Sequence, residues 1–220
     1  GFSYTQEMTG VSKYYGGNRP YHSAGDYASD WPKDKAELFS RDANGNPMIP
    51  VQGGDSGGQI CMSNPEARQR VLDKMIAYIE RDCKEAAEKQ YAPPLIYDFS
   101  GNDNHNKCTC PGCMELADRE GAYSGATIDF INWVARHIAR EYPEIMVKTF
   151  AYDYCEEPPK FLKAEPNVMI HLALGGVEFG GGYGTYDTMR ALTHPLNKQA
   201  LALFQNWGRH ANHLMHWQYW

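Results

Sequence analysis

The densest chemistry in the chain lies in one short stretch, "SGNDNHNKCTCPGC", residues 100–113. Cys108, Cys110 and Cys113 bring three of the six cysteines together, beside the imidazole of His105 and the carboxylate of Asp103. Thiolate and imidazole are the ligands tetrahedral zinc favours. Cys108, Cys110, Cys113 and His105 therefore form a candidate ligand set, with Asp103 able to stand in for the histidine. A metal held this way is structural unless one coordination position stays open to water. Two other fates fit the same residues: a disulfide in an oxidising compartment, drawing on Cys61, Cys83 or Cys155, and unmodified thiols. Neighbouring thiols in a tight turn pair poorly with each other, because a disulfide needs a specific Cα spacing and dihedral. That favours the metal.

Carboxylates just past apolar runs are the second chemical feature. Asp103 follows "PLIYDFS", Asp153 follows "IMVKTFAY" and Glu178 follows "NVMIHLALG". The plain role for Asp103 is to cap its own loop, as Asp and Asn commonly do. Asp98 alternates within its strand and reads as a supporting residue whose direction stays open. Glu156 and Glu157, beside Pro158, read as solvated. Aromatic residues crowd the loops at "YYGGNRPYH", "GGGYGTY" and "HWQYW". Their flat faces suit the apolar faces of sugar rings, and they also serve simply to anchor loops. His171 and His216 lie within strands and read as buried and satisfied, and His194 orders a helix entry. "GGVEFGGGYGTY" lacks the spacing and the following helix of a phosphate-binding loop. It reads as a loop over an active-site mouth, and no organic cofactor is expected.

These residues need elements to position them. "SNPEARQRVLDKMIAYIERDCKEAAEK" predicts a helix, with Asn64 as cap, Pro65 at the first position and Leu72, Met75, Ile76, Ile79 and Cys83 as one apolar stripe. Cys83 is thereby expected to be plain core. "SGATIDFINWVARHIAREY" and "LNKQALALFQNWGRHA" predict two more helices. "GGQICMS", "PLIYDFS", "IMVKTFAY", "NVMIHLALG" and "LMHWQYW" predict strands. Residues 1–55 read as a loop-rich part with a short helix at "KDKAELFS", and residues 56–220 as βα repeats of the same domain. Strands alternating with amphipathic helices imply α/β architecture with a parallel sheet. The interesting loops all follow strand carboxyl ends, where a (β/α) barrel carries its active site. Four or five strands are visible, against the eight of a TIM-type barrel, so the chain reads as an incomplete barrel from a longer protein. An isolated five-stranded doubly wound sheet is the alternative.

Composition narrows the partners. The net charge is −6 and no Lys/Arg cluster is present, which argues against nucleic acid. No apolar run approaches the length of a membrane span.

The motifs "GQICMSNPEARQRV", "NDNHNKCTCPGC", "FINWVARHIAREYPEIMVKTFAYDYCEEPPK", "PNVMIHLAL", "HPLN" and "HWQYW" occur in order. Together they resemble the bacterial domain-of-unknown-function family 4838 over roughly residues 20–220. The resemblance implies a glycoside-hydrolase-like TIM barrel, similar to those of alpha-glucuronidases and family-20 hexosaminidases, in large secreted proteins of polysaccharide-degrading bacteria. It implies a secreted, periplasmic or cell-surface location and an oligo- or polysaccharide as partner. Glycoside hydrolysis needs two carboxyl groups about the scissile bond. Under the resemblance Asp103 is one, and Glu178 or Asp153 is the other. His22, Asn102, Tyr152 and Tyr154 then line the substrate site. Trp217 and Tyr219, on one side of the last strand by alternation, complete it. Two departures stand out. Asn102 replaces the adjacent acid of a substrate-assisted pair, and Gln218 replaces the acid the family usually has between Trp and Tyr. These support the alternative of a non-catalytic carbohydrate-binding barrel. A third reading makes the cysteine–histidine loop itself a metal-dependent hydrolytic site.

Overall fold

The computed structural model describes residues 14–53, 56–173 and 191–217. Glu178, Gln218 and Tyr219 lie outside these residues, as does most of the glycine-rich loop. Strand β1 (Tyr15–Gly16) is followed by the short helix α1 (Ala24–Tyr27) and by an antiparallel ribbon of β2 (Ser40–Arg41) and β3 (Pro47–Met48). Helix α2 (Pro65–Lys89) leads to β4 (Ile96–Asp98), and helices α3 (Pro111–Glu120) and α4 (Ser124–Glu141) lead to β5 (Met146–Ala151). Strand β6 (Val168–Ala173), helix α5 (Lys198–His210) and strand β7 (His213–Trp217) follow.

The chain is α/β, with one parallel sheet of five strands in the order β1-β4-β5-β6-β7. Spatial order repeats chain order. A doubly wound sheet requires that order to reverse at a switch point, and no reversal occurs among the described strands. The sheet is open, and closure into a barrel is not observed.

Period-two alternation gives the sheet two chemically different faces. Register pairs Tyr97 with Val147, and Val147 with Val168. Together with Ala151, Ile170 and Leu172, these residues form an outer face that is fully buried. Helix α4 covers it with Ile128, Ile131, Val134, Ala135 and Ile138, and α2 adds Val71, Met75 and Ile79. Burying one such aliphatic side chain is worth about 1.5–3 kcal/mol, so this layer supplies the main cohesion. Gly16 is required where β1 joins it, since a Cβ there would fall 2.2 Å from the Tyr97 ring.

Helix α2 begins as its sequence directs: Asn64 Oδ1 accepts from Ala67 N–H at 2.9 Å, and Pro65 occupies the first position. The predicted stripe fails at one end. Cys83 is exposed, and the buried position belongs to Asp82, whose Oδ2 accepts from Gly17 N–H at 2.7 Å. The helix turns a polar side chain inward to satisfy the end of β1. "GGQICMS" is no strand: it makes only isolated bridges, Pro50 to Gly57 and Phe39 to Ile60. A Cβ at Gly58 would meet the Met48 carbonyl oxygen at 1.9 Å, so the segment packs against the ribbon too closely for an ordinary ladder. Glu156, expected in solvent, is 2% exposed, and its carbonyl accepts from Trp207 Nε1–H at 2.7 Å. The short helix expected at "KDKAELFS" forms as a single 3-10 turn, Ala36–Leu38.

Candidate functional site

The other face of the sheet is polar and aromatic. Register places Asp98 opposite Lys148, and Phe150 opposite His171. Asp98 and Lys148 are 2% and 1% exposed. Two such charges persist without water only when paired and hydrogen-bonded. Asp98 Oδ1 accepts from Ser23 Oγ–H at 2.8 Å and from Ser100 Oγ–H at 2.6 Å. Its Oδ2 lies 3.2 Å from Lys148 Nζ, an ion pair without hydrogen-bond alignment. Lys148 also donates to the Pro20 carbonyl and lies 3.4 Å from His171 Nδ1. Burial, reinforced by the Lys148 charge, pushes the His171 pKa down to about 4, so the ring is neutral at pH 7.

Around this pair runs a closed circuit of aromatic rings. Centroids are 6.0 Å apart for Tyr21–His22, 5.0 Å for His22–Phe150 and 5.0 Å for Phe150–His171. The circuit closes at 5.5 Å for His171–Trp217 and 5.7 Å for Trp217–Tyr21. Tyr152 joins beside His22 at 6.1 Å. His22 has a left-handed backbone, φ 47°, and its Nδ1 lies 2.9 Å from the Gly101 carbonyl. A non-glycine residue held there is strained, and such residues concentrate at functional sites.

The loop after β4 carries Asp103, two residues beyond the Gly101 carbonyl that faces His22 Nδ1. Its neighbour Asn102 is buried, with its side chain committed to the main chain: Oδ1 accepts from Gly25 N–H at 3.0 Å, and Nδ2 donates to the Val51 and Ser56 carbonyls at 3.2 Å. Asn102 is thus a brace, and the expected substrate contact is replaced by a structural one. Asp103 is half-buried and finds no hydrogen bond or ion pair among the described residues. Asp153, a second left-handed residue at φ 53°, accepts from the exposed His105, with Nδ1 2.7 Å from Oδ2. A small pocket lined by Asn104, Phe150, Tyr152, Asp153 and Tyr154 opens between these loops. Asn104 Nδ2 is buried there without a partner among the described residues. Tyr154, expected to face substrate, is held further back: burial drives its hydroxyl pKa well up, and its ring sits 5.3 Å from Tyr123.

Behind the loop four thiols converge. The sulfurs of Cys61, Cys108, Cys110 and Cys113 all lie within 4.8 Å of one another. Cys61 Sγ is 3.5 Å from Cys110 Sγ and 4.0 Å from Cys113 Sγ. Tetrahedral Zn–S bonds of ~2.3 Å place sulfurs ~3.8 Å apart, so the spacing fits a single metal ion. It is far from the ~2.05 Å of a disulfide, and all six cysteines are free. Cys110 caps α3 and Cys113 sits in its first turn, where the helix N-terminus favours thiolate. Ser63 Oγ lies 3.3–3.5 Å from the sulfurs of Cys61, Cys110 and Cys113. Hydrogen bonds from Cys108 and Cys113 pull the Cys61 thiol down, as the first thiolate of such a cluster requires. His105 is outside the cluster: Asp153 holds it, and Cys61 completes the set in its place.

A family model described as domain of unknown function (DUF4838) matches residues 11–220. The chain belongs to that family. No curated protein matches it. The DUF4838 domain thus combines a four-cysteine node compatible with a metal, a buried ion pair and an aromatic bay. Sequence reading missed Lys148 and placed Cys61 only as a disulfide partner. The signal for Lys148 was present: a single cation inside the apolar run "IMVKTFAY" demands a buried anion.

Proposed function

We propose that this domain is a carbohydrate-active barrel, a glycoside hydrolase acting on a complex polysaccharide, with a structural zinc ion in the four-cysteine node. The observation that carries the reading is the closed aromatic circuit on the inner sheet face, with Asp103 in the loop beside it. Stacked aromatic faces bury the C–H faces of a sugar while hydroxyls are read at the edges. Asp103, with no partner among the described residues, is available to donate a proton to the glycosidic oxygen or to activate water. Asp153 and Glu178 remain the partner acids of the proposal. The sequential strand order with one helix-covered face is what a (β/α) barrel segment presents, which supports the barrel. Four thiolates make a closed set with no position for water, which favours a structural role over metal-dependent hydrolysis.

The test is reducing-sugar release from a panel of plant and microbial polysaccharides, by the parent chain and by Asp103→Asn. Release by the parent, reduced at least ~100-fold in the variant, is expected. The non-catalytic alternative draws support from Asp98, the strand-end carboxylate, being consumed by Lys148, Ser23 and Ser100. Glycan binding without release, unchanged in Asp103→Asn, would establish it. Neither binding nor release would remove the carbohydrate reading altogether.

A further inference from the structure

The aromatic bay has a polarity that its ring count hides, and that polarity is set by the buried ion pair. We propose that His171 and His22 form a matched donor–acceptor pair that reads two hydroxyl groups of one sugar ring, with Lys148 as the positioning residue that fixes the donor. The inference rests on the carbohydrate reading above and names the subsite within it.

Lys148 Nζ carries only donors, and at 3.4 Å from His171 Nδ1 it tolerates a lone pair there but not an N–H. The proton of the neutral ring is therefore on Nε2. That N–H finds no partner among the described residues and is not sealed from solvent, although the ring is only 6% exposed. His22 has the opposite arrangement. Its Nδ1 faces the Gly101 carbonyl at 2.9 Å, and a carbonyl only accepts, so Nδ1 holds the proton and Nε2 of the neutral ring offers a lone pair. Both imidazoles lie 5.0 Å from the Phe150 ring, one on β6 and one in the strained turn before α1. A fixed donor and a fixed acceptor about one aromatic floor suit a polyol, whose hydroxyls each donate and accept. They suit a bare carboxylate or an aliphatic chain poorly. The Lys148 charge takes no direct part, being occupied by Asp98, the Pro20 carbonyl and His171.

The experiment uses the whole chain labelled with 15N at histidine. Long-range 1H–15N correlation reads which ring nitrogen of His171 carries the proton, before and after adding neutral xylo-, cello-, manno- and chito-oligosaccharides. Nε2–H is expected in the parent, together with a displaced Nε2–H signal when a binding sugar is added. In Lys148→Met, which is checked for folding by its thermal melt, the Nε2–H preference should weaken. His171→Gln, whose amide N–H falls near Nε2, should keep affinity for that sugar within about 3-fold, whereas His171→Leu should lose about 10-fold. An Nδ1–H tautomer in the parent overturns the inference and leaves carbohydrate activity standing. So does a sugar that binds with the same affinity to His171→Leu. If no sugar in the panel binds and no polysaccharide is cut, the inference and the carbohydrate reading fall together.

Discussion

Replacing Cys61 by Ser tests whether the four thiols act as one metal-linked node. Cys61 and Cys110 are separated by 49 positions, with all of α2 and β4 between them. Tying two such points together removes loop-closure entropy worth about 4 kcal/mol by the relation used for cross-links of that span. Cys108, Cys110 and Cys113 lie within six residues, so Cys61 alone carries the long-range link. In the presence of zinc, Cys61→Ser should therefore lower stability by ~4 kcal/mol, or about 8–16 °C in melting temperature for a chain of this size. Cys110→Ser should cost less, because three ligands still span the two segments. Cys83→Ser, at an exposed position, should stay within ~0.5 kcal/mol of the parent. Differential scanning calorimetry with added zinc and with chelator, alongside elemental analysis of each variant, reads these differences. Equal melting temperatures for Cys61→Ser and Cys110→Ser in zinc-loaded samples would refute the cross-link reasoning, and a parent insensitive to chelator would refute the metal itself.

Asn102→Ala leaves the buried Gly25 N–H without its partner and takes one donor from the Val51 and Ser56 carbonyls, of which Ser56's still accepts from Val51 N–H at 3.3 Å. With one buried group orphaned at ~1–2 kcal/mol and two solvent-accessible carbonyls each losing a bond, urea titration should show a loss of about 1–3 kcal/mol. His171 provides a pH signature. It titrates at about 4 in the fold against an ordinary 6.5, so the unfolded chain takes up the proton first. Stability from this group is full above pH 6.5 and declines as pH falls toward 4. The difference amounts to up to ~3 kcal/mol at 1.36 kcal/mol per pH unit, reduced to ~1–2 kcal/mol by solvent at the open edge of the ring. Unfolding free energies from urea titration at pH 7 and 4.5 should differ by that much more in the parent than in His171→Gln.

Local signals in the sequence reached the elements that local physics decides. Helix α2 was legible because its cap, its proline and its apolar period agree, and strands β5 and β6 because mostly apolar runs, each broken by one basic residue (Lys148, His171), suit a buried parallel sheet. What escaped was decided across the chain. Nothing near Cys61 marks it as the fourth thiol, since its partners lie 47 or more positions away. His105, sitting beside three cysteines, was the natural local choice, yet it is drawn off by Asp153. Asp82 and Cys83 are adjacent on a helix, and hydrophobicity alone favours burying the thiol. The N–H of Gly17 reverses that choice. Asn102 read as a sugar contact under the family resemblance, from its place beside Asp103. Only the 51–58 segment, folded back against it, shows that its hydrogen bonds are taken.

The node and the bay are joined by physical contacts. Tyr123 Oη accepts from Cys108 N–H at 3.0 Å and donates to the Cys108 carbonyl at 3.1 Å, so the thiol segment and α4 are clasped through one hydroxyl. The Tyr123 ring meets Tyr154 edge-on at 5.3 Å, and Tyr154 in turn fills the space a side chain at Gly101 would need, 2.6 Å from its Cβ position. Gly101 supplies the carbonyl that orients His22, and Asp103 stands two residues further on. Loss of a metal from the node would loosen the segment at Cys108 first, and a displacement would pass to the loop that carries the Gly101 carbonyl and Asp103 through Tyr123 and Tyr154. A metal held in this position would therefore act on the proposed site by holding the geometry of its loop. The distinguishing consequence is that metal loss and Tyr123→Phe should perturb the bay in the same direction, whereas Asp103→Asn leaves the node unchanged.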